Sequence, residues 1–403
     1  MLFVNVPIGL VLFAAASLLG GLSTSEGQLI AARALQGLGA AILSPAALSI
    51  VTNTFAEGAE RNKALGVWGA VAGGGGAAGV LLGGILTDGL GWEWVLFVNV
   101  PIALGAALLS PRLLAESRNE GRVPLDVAGA VSITAGLSLF VYTMVTANDY
   151  GWTSLHTLGL GALSVALIAG FVFIERRQQD PLVPFPGLFR IRTILGGNLA
   201  AIMTAMSLFS MFFFITLYMQ NVLGFSPLKT GVAYLPLAVG IILAAGVASV
   251  LTTRLGAKRV FVGGLLLVAV ALAWFSQVSP DGSYGSDVLF PSILAALGLG
   301  FSFVPMTIVA VAGVEPHEAG LASGLINTSQ QVGGALGLAI LSAIWTSRLD
   351  DGFAPKVAST NGMHDAFIAG SGFAVLGAIL VATLVSSAAA DAAAESELVP
   401  VAA

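Results

Sequence analysis

Arg33 lies inside an apolar run, Leu29-Ile-Ala-Ala-Arg-Ala-Leu-Gln-Gly-Leu-Gly-Ala-Ala41. A guanidinium at that depth in a membrane costs at least about 2.5 kcal/mol unless it meets a partner or a wet cavity. Helical spacing sets Gln36 and Gly37 beside it on one face. A cation facing a cavity would bind anionic groups or tune a proton site; one that snorkels would only reach the headgroups. Polar and small neighbours suit a cavity or a helix contact better than lipid.

A second group is made of glycines, in Gly73-Gly-Gly-Gly-Ala-Ala-Gly-Val-Leu-Leu-Gly-Gly84. Gly75, Gly79 and Gly83 fall at i, i+4 and i+8, with Gly84 next to the last. Such a smooth ridge lets another backbone approach closely, as static packing or as a contact that slides between conformations. Gly320, Gly324, Gly333, Gly334 and Gly337 repeat the theme later in the chain. A third group, Arg254, Gly256, Lys258 and Arg259, joins two apolar runs. It serves either as a positive-inside anchor or as donors that cap a helix C-terminus and latch one conformation. Asn198, Tyr218, Gln220, Asn327, Gln330 and Gln331 are polar residues inside later runs. They line a substrate path or bond helix to helix at about 0.6 kcal/mol each. The run Phe209, Phe212, Phe213 and Phe214 fits an apolar pocket, lipid contact or core.

All 21 acids are expected in loops, tails or span edges, with Asp88, Asp126 and Asp365 at edges. No carboxylate is expected mid-membrane, where a proton-coupled carrier usually needs one. There are no cysteines, and the three histidines, His156, His317 and His364, are scattered. Thiolate chemistry is excluded, and neither a metal site nor a cofactor is expected. No basic stripe offers itself to nucleic acid. No His, Cys or paired-carboxylate cluster in the spans supports an enzyme.

The elements that must position these residues follow from composition. Of 403 residues 57% are apolar and only 9% charged, against about 25% charged in a soluble domain. Too few polar side chains remain to cover a water-facing surface. The expected fold is all-α and polytopic, with about twelve spans near 2–20, 28–50, 65–87, 94–112, 126–146, 157–175, 194–219, 229–250, 260–278, 288–311, 320–346 and 365–388. Met1–Leu19 reads as a membrane helix, because no basic segment precedes it and no cleavage site follows.

Alternate loops collect the basic residues. Arg61, Lys63, Arg112, Arg118, Arg122, Arg176, Arg177, Arg190, Arg192, Arg254, Lys258 and Arg259 fall on one side, and Lys229, Arg348 and Lys356 on the other. The first side is cytoplasmic by the positive-inside rule, and both chain ends lie there. The longest internal loops divide the chain into a partial four-helix bundle at 1–115, two linking helices at 116–190 and a six-helix bundle at 191–390. Residues 391–403 read as a disordered tail.

At these residues the chain resembles the major facilitator superfamily, in particular its 14-helix drug:proton antiporter family. The family's Arg-x-x-Gln-Gly-x-Gly-Ala segment is matched by Arg33, Gln36, Gly37, Gly39 and Ala40. Its antiporter signature is matched by Gly79, Gly83 and Gly84, with Val80 where Pro is usual. Trp92-Glu-Trp94 and Asn99-Val-Pro101 match a further segment, with Glu93 in place of a basic residue. Tyr218 and Gln220 match the family's Tyr-x-Gln at the end of a span, and Ser226, Pro227 and Gly231 match its Ser-Pro-x-x-x-Gly after that span. Arg254, Gly256, Lys258 and Arg259 match the second-half cytoplasmic loop motif, with Thr253 where an acid is common.

The resemblance implies two six-helix bundles with two helices between them. It also implies that the first two family helices, including an acid tied to proton coupling, are absent from this chain. The near-repeat of Leu2–Leu10 by Leu96–Leu104 has no physical account. The expected function is alternating-access efflux of amphipathic organic compounds across the plasma membrane, proton-coupled in the full-length form. The partners would be the lipid bilayer, a small organic substrate and protons. Uptake or uniport of a small solute, and a non-transporting membrane protein, are the alternatives.

Overall fold

The computed structural model describes residues 2–54, 75, 78–113, 126–178, 191–312, 319–349 and 354–387. Among them a helix lies on each of the twelve expected spans. Arg61, Lys63, Gly73, Gly74, Arg118, Arg122, Arg190, His317 and the 391–403 tail lie outside the described residues.

In the first unit, Met1–Val123 with Phe225–Ala238, helices α1 (Leu2–Gly21) and α2 (Glu26–Thr54) form a hairpin. A short helix α3 (Ala78–Gly89) follows. Then come α4 (Trp94–Phe97), α5 (Asn99–Leu113) and, later in the chain, α9 (Pro227–Ala233). The second unit is Pro124–Gly224 with Val239–Ser396. It opens with α6 (Val127–Tyr150) and α7 (Leu155–Glu175), then α8 (Arg192–Leu217), which ends in a π-turn at Tyr218–Val222. Helix α10 (Leu235–Leu255), whose first four residues belong to the first unit, leads into α11 (Ala257–Phe275). A second π-turn at Tyr284–Leu289 opens α12 (Phe290–Val311), and α13 (Ala319–Thr346) and α14 (Pro355–Leu384) complete it.

Local chemistry explains the ends. Ser154 caps α7 by accepting from the Thr157 amide, and Ser226 caps α9 ahead of Pro227. Gly256 separates α10 from α11 with φ of +87°, a left-handed conformation that a side chain would strain. The start of the last span differs from the expectation of residue 365. Helix α14 begins ten residues earlier at Pro355, because its polar residues find partners. Arg348 Nε donates to Asp365 Oδ2 at 2.7 Å, and His364 Nδ1 meets the Ser276 carbonyl.

Among the described residues, eight helices are long and apolar enough to cross a membrane. Only 17% of the apolar window is buried in α6 and in α7, against 56% in the span containing α8 and 61% in that containing α12. The apolar faces of α6 and α7 therefore look outward, as lipid-facing helices do. Helix association in lipid depends on close packing rather than on water exclusion. The second unit packs its aromatic side chains accordingly. Phe214, Phe275 and Phe367 are fully buried, and their ring centroids lie 5.5 to 6.0 Å apart along Phe275–Phe367–Phe214. Phe209 and Phe213 of the same run point outward.

The α6–α7 hairpin is tied at one end by Asp126. Its Oδ1 accepts from the Gly129 amide at 2.8 Å and from Gln178 Nε2 at 2.7 Å. Those bonds, led by the Gly129 amide and helped by the Glu175 carboxyl, hold Asp126 below the usual aspartate range despite the opposing effect of burial. A depressed folded-state pKa stabilises the hairpin above the ordinary value, and this is lost as pH falls through the folded value. The melting temperature is therefore expected to drop in acid, below about pH 4. Asp126→Asn should flatten that drop; an unchanged acid limb in a pH-resolved melt would remove Asp126 from the account.

Candidate functional site

Arg33, expected within a membrane span, is part of a polar chain across the first unit. Arg33 Nη1 donates to Gln36 Oε1 one turn on. Gln36, only 4% exposed, donates through Nε2 to Ser17 Oγ of α1 at 3.0 Å. Ser17, fully buried, donates to the Leu96 carbonyl of α4 at 2.8 Å. Asn99 Nδ2 of α5 reaches the same hydroxyl at 3.2 Å. One serine thus joins α1, α2, α4 and α5. The sequence placed Gln36 beside Arg33 but did not single out Ser17, a small hydroxyl in an apolar run with no periodic signal. Asn99 appeared only within a motif. Arg33 itself remains exposed beside Gly37, where nothing comes within 4 Å of a would-be side chain. The chain of bonds orients its guanidinium without consuming it, since one Nη donates inward and the other donors remain to meet an anionic group.

The glycine ridge makes its contact at one end. Among the described residues, nothing lies within 4 Å of a would-be Cβ at Gly75, Gly79 or Gly83. At Gly84 a Cβ would stand 2.7 Å from the Pro227 carbonyl oxygen, and at Gly231 it would stand 3.0 Å from the Val80 carbonyl oxygen. Helices α3 and α9 therefore cross backbone to backbone. Gly84→Ala should destabilise the protein by about 1–3 kcal/mol, as overpacking does, whereas Gly79→Ala should leave its melting temperature unchanged. Equal effects of the two changes in a melting experiment would contradict this crossing.

The polar residues of the second unit divide into two sets. Asn198 and Tyr218 are engaged in packing. Asn198 Nδ2 donates to the Ile194 carbonyl at 2.9 Å, and its Oδ1 accepts from Ser329 of α13 at 2.8 Å. Tyr218, 1% exposed, donates to Asp287 Oδ2 at 2.6 Å and lies 2.8 Å from the Ser279 carbonyl. Asn327, Gln330 and Gln331 share one face of α13 by their spacing. Asn327 and Gln331 are exposed, while Gln330 is half-buried with Nε2 3.4 Å from Met306 Sδ. Gln220 is half-buried in the π-turn, a rare element that recurs at functional sites.

In the basic loop, Arg254 closes the last turn of α10, and Lys258 and Arg259 stand in the first turn of α11. Arg259 Nη1 makes a long contact of 3.5 Å with the Leu255 carbonyl at the α10 terminus.

Two acids expected in loops or at span edges lie at span ends and are held by distant partners. Glu175, 1% exposed, closes α7 against Asp126. Asp287 lies inside the second π-turn and bridges to Tyr218, 69 residues away. No local pattern marks either, because both partners come from distant segments.

Stacked apolar helices, an exposed arginine oriented by a buried polar chain, and helix crossings through glycine suit a polytopic membrane transporter. The chain belongs to the Major Facilitator Superfamily, whose family model matches residues 6–338. It is 42% identical over 386 residues to puromycin resistance protein pur8 of Streptomyces alboniger, covering 94% of this chain and 76% of that protein. It is 40% identical to the cephamycin export protein CmcT of Amycolatopsis lactamdurans, covering 93% and 77%. A multidrug transporter protein of Bacillus subtilis, MdtP, is 28% identical over 90% of this chain and 67% of its own length. The fold is similar to an auto-inhibited peptide transporter of the POT family, with a TM-score of 0.62 at 17% identity, covering 94% of this chain and 82% of that one. The human organic anion transporter MFSD10 gives 0.59 at 17% identity, covering 93% and 76%.

Proposed function

We propose that this chain exports amphipathic organic compounds, antibiotics among them, across the plasma membrane by alternating access coupled to the proton gradient. The observation that carries the reading is its 42% identity, over nearly its whole length, to a puromycin resistance protein. An export protein for a cephamycin stands close behind. Arg33 acts as the cation of the translocation path, held toward it by Gln36 and Ser17. The α3–α9 glycine crossing sets how closely those helices pack through the cycle, and Arg254, Lys258 and Arg259 latch the cytoplasmic side. Asn327, Gln330 and Gln331 offer hydrogen bonds along the path. The sign of the loop charges supports a cytoplasmic C-terminus.

The test is accumulation of puromycin in cells that carry the protein and in cells that lack it. Lower accumulation with the protein, abolished by a protonophore, is the expected result. Lower accumulation that survives the protonophore would leave export standing and remove proton coupling; higher accumulation would mean uptake.

A further inference from the structure

A groove of about 440 Å³ runs along the outside of the second unit between α10, α11 and α12. Its walls are almost wholly apolar, from Leu255, Gly263, Leu266, Val270 and Phe301, and among the described residues its one cationic lining residue is Arg259. Residues 259, 263, 266 and 270 are spaced by four, three and four, which places them on one face of α11. From Arg259 to Val270 the helix rises about 16 Å. That is close to half the roughly 30 Å hydrocarbon core, the depth of one leaflet. Leu255, Leu266 and Val270 are each about half exposed, so the groove opens outward. At Gly263 nothing lies within 4 Å of a would-be Cβ, so the missing side chain leaves the groove unfilled there.

The charge at its mouth completes the description. Lys258 and Arg259 occupy the first turn of α11, the positive end of the helix dipole, where cations are unfavourably placed and an anion is favoured. Arg254 adds a third positive charge across the Gly256 turn. The loop lies on the side that the positive-inside rule assigns to the cytoplasm, the leaflet that carries anionic lipids. We infer that the groove binds one anionic phospholipid of the cytoplasmic leaflet, its acyl chain along α11 from Arg259 to Val270 and its phosphate on Arg259. Bound there, the lipid would offset the cations at the start of α11 and tie the α10–α11 turn to the bilayer.

Native mass spectrometry of the purified full chain, titrated with phosphatidylglycerol or phosphatidylcholine, tests this. One phosphatidylglycerol is expected to bind more tightly than phosphatidylcholine. Arg259→Ala should weaken it about fivefold, the share of one basic residue near a charged membrane surface. Gly263→Phe, whose Cβ meets nothing within 4 Å and whose ring would occupy the groove, should weaken it at least as much while leaving the melting temperature of lipid-free protein unchanged. Loss with Arg259→Ala alone would reduce the effect to surface charge and overturn the groove. So would equal binding of the two lipids, or no change in either variant.

Discussion

Gly337→Val is expected to break the second unit apart. A Cβ at Gly337 would stand 2.3 Å from the Met206 Cα, and one at Gly333 would stand 2.5 Å from the Ile202 carbonyl oxygen. Both neighbours are backbone of α8, so no side chain can swing aside, and α13 must lift off. Overpacking of this kind costs about 1–3 kcal/mol when a core can yield, and a rigid backbone contact belongs at or above the top of that range. The displacement would also pull Ser329 away from Asn198, taking a buried interhelical hydrogen bond with it. A melting experiment in detergent reads the effect directly. Gly372→Val on α14 is the control, because nothing lies within 4 Å of a Cβ there. If both variants melt like the wild type, the glycines of α13 are not a packing device.

Arg33→Ala is expected to act the other way, on transport and not on stability. Arg33 is exposed, and its hydrogen bond to Gln36 runs along its own helix. Its removal leaves Ser17, Leu96 and Asn99 bonded as before, so melting should move little, as for exposed substitutions generally. Bonds to a charged group contribute about 1.5–3 kcal/mol. If Arg33 engages substrate or the proton site, losing it should slow export about tenfold or more. Arg33→Lys should recover only part, since it keeps the charge but not the planar fork that Gln36 and a ligand can share. Export at the wild-type rate in Arg33→Ala would assign the arginine to headgroup contact.

The helices were legible because their solvent is lipid. Long apolar runs broken by Gly, Pro and charge leave little freedom in placing a span. The start of α14 is the exception. Lys356, His364 and Asp365 made it read as loop, yet Arg348 and the Ser276 carbonyl satisfy two of them from other segments. The same reason hid Glu175 and Asp287, whose burial is decided by partners on other turns of the chain. At the candidate site, the Arg33–Gln36 pair was visible because it is local. Ser17, which links that pair to α4 and α5, was not. The glycine ridge shows a further limit. Its spacing singled out Gly75, Gly79 and Gly83, whereas the backbone contact falls on Gly84, because a stripe of small residues does not say which of them a neighbour will use.

The central claim, that the chain moves amphipathic organic molecules across a bilayer, is tested most directly by counterflow in liposomes. Purified protein would be reconstituted with unlabelled puromycin inside and a trace of labelled puromycin outside. The account predicts transient accumulation of label above that in protein-free liposomes, and slower accumulation with Arg33→Ala. Label entry equal to that of protein-free liposomes, from protein that melts as a folded species, would contradict it.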